Sequence, residues 1–134
     1  MSQVRTERID IIPESLEEIV QACEDAGYKA KIADRNSYGG NQSTQVVEVT
    51  GHGIETYGRS VVEIYQRGEG VDFRVDLDRN RAANEKKFQG LKSGVHAHFQ
   101  KNRAIKASKK RGFTIAQNEE TEDKIIIKVR KFVS

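Results

Sequence analysis

One cysteine, three histidines and a row of strand aspartates are the residues of this chain best suited to catalysis or metal binding. Cys23 ends the apolar series Leu16, Ile19, Val20, Cys23, spaced i, i+3, i+4, i+7, so it belongs to a buried helical stripe where a thiol is inert. His96 and His98 are two positions apart, which on a helix sets them on different faces. His52 stands in Gly51-His52-Gly53, a turn or bulge. No zinc-ligand spacing emerges, and His98 beside Phe99 reads as a half-buried packing residue. Asp72, Asp76 and Asp78 share the polar side of one strand. They could supply paired carboxylates, yet a solvated strand face gives the same alternation. No serine sits in a nucleophile-elbow pattern. The expectation is a non-enzyme without cofactor or metal.

Two other features point to binding. The loop Ser37-Tyr38-Gly39-Gly40-Asn41-Gln42 is glycine-rich but lacks the lysine and the following helix of a phosphate loop. It reads as a flexible turn or as a recognition loop presenting Tyr38, Gly39 and Gly40. Residues 79–112 hold eleven Lys and Arg against the single acid Glu85, or 11 − 1 = +10. The rest of the chain carries 12 bases and 19 acids, or −7. Lys92, Lys101, Arg103, Lys106, Lys109, Lys110 and Arg111 form the candidate surface for a polyanion or a protein partner. Phe88 and Phe99 point to the core, so nucleic acid would be held by its phosphates without base readout. Two plainer readings compete. One is the solvated side of an amphipathic helix. The other is neutralisation by the first helix and the acidic turn at 119–123.

The elements that must position these residues follow from periodicity. Residues 3–12 read as a strand, Pro13 as the first turn of a helix, and Gly27 as its stop. Strands are expected at Lys29–Ala33, Val46–Thr50, Val61–Gln66 and Val71–Leu77. A hairpin turn at Arg67-Gly68-Glu69-Gly70 joins the last two. Val71, Phe73, Val75 and Leu77 alternate strictly with Asp72, Arg74 and Asp76. A long helix carries Phe88, Leu91, Val95, Phe99 and Ile105 on one face and ends at Gly112. Gly90 and Gly94 weaken its early turns, so it begins near Ser93 or breaks there. Phe113–Ala116 and Lys124–Phe132 complete the chain as strands.

Length fits a single domain over residues 1–134. The fold class is α+β: a mostly antiparallel sheet of about six to seven strands with two helices on one face. Helix, Gly27-Tyr28, strand, strand is echoed by helix, Gly112-Phe113, strand, strand, which suggests two related α-β-β halves. With hydrophobic residues at 36% and charged residues at 32%, the chain is polar for a globular protein. A lone cysteine excludes a disulfide scaffold and favours a reducing compartment. Met1-Ser2-Gln3-Val4-Arg5 has no apolar leader, and no run is long enough to cross a bilayer. The expectation is a soluble, cytoplasmic protein of open oligomeric state.

The order helix, Gly27-Tyr28, strand, Tyr38-x-Gly40-x3-Thr44-x2-Val47-x-Val49, Val75-Asp76-Leu77, long helix, Gly112-Phe113, acidic turn and Ile125-x-Ile127-x-Val129-Arg130-Lys131 resembles the ycf thirty-five family. That family is a hypothetical reading frame of chloroplast genomes and cyanobacteria, carried in wider bacteria as a domain of unknown function. The likeness covers nearly the whole chain through short motifs. Its Tyr-x-Tyr-His element is here Phe99, Gln100, Lys101 and Asn102, and its tryptophans are absent. Members are encoded near AAA-type ATPases. The resemblance therefore implies an adaptor or accessory protein that binds a protein partner such as an ATPase. It supplies no catalytic residues and no cofactor.

Overall fold

The computed structural model describes residues 3–36, 43–78, 82–120 and 125–131, with side chains described over 4–35, 44–78 and 82–112. The strict alternation of residues 71–77 forms β5 (Gly70–Leu77), and all four of its apolar side chains are buried. It pairs on one side with β1 (Gln3–Ile9) and on the other with β4 (Val62–Arg67). β4 continues to β3 (Ser43–Thr50), and β3 to β2 (Lys29–Asn36). The result is a five-stranded antiparallel sheet in the order β1-β5-β4-β3-β2.

Helix α1 (Leu16–Asp25) buries Ile19, Ala22 and Cys23. Helix α2 (Ala82–Lys110) buries Phe88, Leu91, Val95 and Phe99. Both stripes join Val47, Val49, Val62, Ile64, Val71 and Phe73 in one core, so both helices cover the same face of the sheet. Burying each large apolar side chain contributes roughly 1.5–3 kcal/mol. Gly27 ends α1 with φ +96°, a conformation glycine adopts without strain, and the Tyr28 N–H reaches back to the Cys23 carbonyl at 3.0 Å.

Several expectations need correction. α1 begins at Leu16, so Pro13 precedes the helix. Ser15 stands at its N-cap without a side-chain capping bond. α2 is continuous through Gly90 and Gly94, because the packing of its apolar stripe outweighs the propensity cost of two glycines. Gly94 faces α1, where an added Cβ would lie 3.6 Å from the Ala26 Cβ.

The sheet of six to seven strands resolves into five plus a separate antiparallel hairpin, β6 (Phe113–Glu120) with β7 (Ile125–Lys131). The length of α2 supplies a physical reason. Its 29 residues span about 43 Å, whereas an eight-residue strand spans roughly 27 Å. The helix therefore outruns the sheet, and the hairpin packs against α2. The α-β-β order occurs twice, as α1-β2-β3 and α2-β6-β7, but only the first hairpin enters the main sheet. No helix among the described residues is long and apolar enough to cross a membrane.

Candidate functional site

Because side chains alternate along a strand, the residues between the core positions point to the face away from the helices. On this far face the register sets Lys31 opposite Glu48, Glu48 opposite Glu63, and Glu63 opposite Arg74. Two like charges thus stand side by side at the centre of the sheet, an arrangement that is destabilising unless compensated. Both carboxylates are nevertheless buried, Glu48 at 4% exposure and Glu63 at 6%.

Arginines from three different segments compensate them. Arg59 donates to Glu48, Arg35 donates to Glu63, and Arg74 approaches Glu63 at 3.8 Å. The bond from Arg35 to Glu63 also pushes the Arg35 guanidinium above its usual range. The guanidiniums themselves remain half-exposed, so the carboxylates form a floor and the arginines a rim. Beside them, Asp72 is 1% exposed, held by Arg8 at 3.5 Å and Arg67 at 3.1 Å. Gly70 makes room for Arg8, because a Cβ there would meet its guanidinium at 2.7 Å.

Arg59 lies between β3 and β4, in the segment 51–61. It is fastened at several points. The Ile54 N–H donates to His52 Nδ1 at 3.0 Å, and Ile54 itself is buried. Lys87 donates to the Gly53 carbonyl at 3.0 Å, and Asn84 accepts from the Glu55 N–H at 3.1 Å. The Tyr57 N–H donates to the Asp76 carbonyl at 2.8 Å. These anchors join the segment to α2 and β5 and hold Tyr57, 61% exposed, at the edge of the arginine rim. The half-open cleft measures about 200 Å³ and includes Arg35, Tyr57, Arg59, Glu63, Arg74 and Asp76. Asp76 contributes a buried Oδ1 with no hydrogen-bond partner among the described residues.

The basic surface expected on α2 divides in two. Lys92 donates to Glu7 on β1. Arg103 donates to Glu18 at 3.0 Å and to the Ile12 carbonyl at 2.6 Å, and its guanidinium lies 5.0 Å from the Phe99 ring centre. Lys106 reaches Glu14 at 3.4 Å, and the Lys101 charge acts on Asp25. The acids missing from α2 are supplied by β1, α1 and the turn between them, so much of the +10 segment docks the helix within the fold. Lys109, Lys110 and Arg111 are exposed at its end. Tyr38, Gly39 and Gly40 lie outside the described residues, as do residues 121–123 of the acidic turn and Lys124.

Cys23 is fully buried, and desolvation together with the Glu24 charge pushes its thiol up to about 12. Burial lowers the pKa of His52. His98 is 8% exposed, deeper than its expected half-buried position. Asp72 is likewise no part of a solvated strand face. Among the described residues no group of three His, Cys, Asp or Glu is placed to hold a metal ion. A second cleft, of about 350 Å³, lies between the end of β1 and α2. Its cations Arg8 and Lys92 are engaged by Asp72 and Glu7.

Sequence reasoning missed Arg35, Tyr57, Arg59, Glu48 and Glu63. One signal was available: Val46 shares the far face with Glu48, and a buried valine there argues against a simply solvated surface. Comparison with protein-family models, curated proteins and solved structures finds no match.

Proposed function

We propose that this chain is a non-catalytic adaptor or accessory protein that docks a protein partner on the far face of its sheet. The observation that carries this reading is the floor of buried carboxylates under half-exposed arginines, with an exposed tyrosine held beside it. Arg and Tyr are the side chains over-represented at protein interfaces and at their energetic centres. A pre-positioned rim loses little conformational entropy on binding. The resemblance to the ycf thirty-five family, with an AAA-type ATPase as partner class, belongs to this proposal, as does a cytoplasmic location consistent with the lone reduced Cys23.

The test is co-purification with tagged chain at low salt, with identification of the captured protein. A stable partner is expected. It should be lost with Tyr57→Ala and retained when Lys109 and Lys110 are reversed to Glu. Recovery of the chain alone, or capture indifferent to Tyr57, sinks the proposal.

The exposed trio Lys109, Lys110 and Arg111 favours a second reading, phosphate-backbone binding to nucleic acid. With four of the seven candidate cations facing acids of β1, α1 and the turn between them, few phosphates remain to be neutralised. Using only this trio, log K should fall against log salt with a slope of about −3 rather than about −6. Absence of binding to duplex or single-stranded probes at low salt excludes this reading.

A further inference from the structure

We propose that the cleft between Arg35, Arg59, Arg74 and Tyr57 grips one carboxylate of the partner, an acidic side chain or a chain terminus. The inference rests on the far face being the docking surface and names the chemistry recognised there.

The case begins with what the buried acids accomplish. Removing Glu48 and Glu63 from water is costly, and apolar side chains of similar size in their place are often neutral or stabilising. Their effect on the surface is specific: each fixes a guanidinium by one edge. Arg35 uses Nε and Arg59 uses Nη2, and among the described residues no further hydrogen bond engages the other N–H groups of either fork. Planar forks of this kind match the two oxygens of a carboxylate.

The segment carrying Arg59 and Tyr57 is anchored to α2 and β5, so the donors stand in place before a ligand arrives. Tyr57 offers a phenol and an apolar ring at the edge. The volume of about 200 Å³ suits a side chain better than a folded surface.

Charge selects the ligand further. Three guanidiniums face Glu63 and Asp76 in the cleft lining and Glu48 beneath Arg59, so the charges balance, 3 − 3 = 0, and a second negative charge on a ligand would be opposed. Such a site opposes a monoanion less than a dianion. A phosphate dianion would also have to approach Asp76, whose buried Oδ1 has no described donor. A hydroxyl or amide donor next to the bound carboxylate would satisfy that oxygen.

The experiment is a backbone-amide NMR titration of the full chain with three probes: acetyl-Gly-Glu-Gly-amide, acetyl-Gly-Gly-Gly with a free C-terminus, and inorganic phosphate. Saturable shifts at Tyr57, Arg59 and Arg74 with at least one peptide are expected. Preference between the peptides separates a side-chain source from a terminal one. Arg59→Lys preserves the charge opposite Glu48 but loses the fork, and should weaken binding roughly tenfold. Tyr57→Ala touches no buried ion pair and should also weaken it. The assignment is overturned by non-saturating shifts, by tighter binding of phosphate than of either peptide, or by wild-type affinity in both variants. Shifts confined to Lys109, Lys110 and Arg111 overturn it as well. Carboxylate binding without a co-purifying protein would leave this inference standing and remove the docking reading. A partner captured without any carboxylate response would do the reverse.

Discussion

The two faces of the five-stranded sheet are built from alternate residues of the same strands, yet different forces hold them. On β5, Val71, Phe73, Val75 and Leu77 enter the core, while Asp72, Arg74 and Asp76 face the other way. The helix-covered face is stabilised by removing apolar surface from water, a force without direction. The far face buries carboxylates and depends on directed bonds from arginines brought in from β1, β2, β4, β5 and the segment between β3 and β4. The difference teaches that exposure and polarity are separable here. Glu48, Glu63 and Asp72 are as buried as many core residues, and the cations above them meet the solvent.

The largest effect should come from the covered face. Phe73→Ala removes a fully buried ring at the centre of the core and should cost about 3–5 kcal/mol in chemical denaturation. A loss under about 1 kcal/mol would mean that burial is not what distinguishes the two faces. A smaller loss is expected across the sheet. Glu63→Gln keeps the shape of the side chain but removes the charge between Arg35 and Arg74, and should cost about 1–2 kcal/mol. Its fluorescence- and NMR-detected fold should persist, while carboxylate binding in the cleft falls. Unchanged binding would show that the floor does not order the rim.

The pH dependence sharpens the comparison on the helix side, where β1 meets α2 through charge. Hydrogen bonding from Arg5 holds Glu85 below the usual carboxylate range. Desolvation pushes Glu7 and Glu18 up, but bonds from Lys92 and Gln89, and from Arg103, outweigh it and leave both lowered. The unfolded chain therefore binds more protons than the folded one as pH falls. These groups contribute stability that is fully present above about pH 4.3 and lost through the lower folded values. His52 acts earlier. Burial lowers its pKa, so the neutral ring is favoured in the fold and stability declines as pH drops below about 6.5. Thermal melts should show a slight decline below neutrality and a steeper one in acid, with the acid limb shallower in Glu7→Gln. A flat profile from pH 7 to pH 3 would contradict both assignments.

Local pattern determined much of this protein. Period two over residues 71–77 and period 3.6 over residues 16–23 and 88–99 marked the core, because apolar side chains on one side of an element must be buried somewhere. The helix stop at Gly27 was legible for a similar reason, since few residues other than glycine adopt that backbone conformation. β1 was less legible. Its helix-side residues Arg5 and Glu7 are charged because they meet the polar side of α2, whereas Val4 is exposed on the far face.

Tertiary structure alone decided the rest. Periodicity states which side of an element is apolar, but not whose polar side it will meet. The acids that neutralise α2 come from β1, α1 and the turn between them, 85 residues away for both Lys92–Glu7 and Arg103–Glu18. The arginines over Glu48 and Glu63 come from the neighbouring strand β5, the edge strand β2 and an anchored loop. The separation of β6 and β7 follows from where a long helix ends. Each of these is a pairing between distant segments, fixed only when the core brings them together.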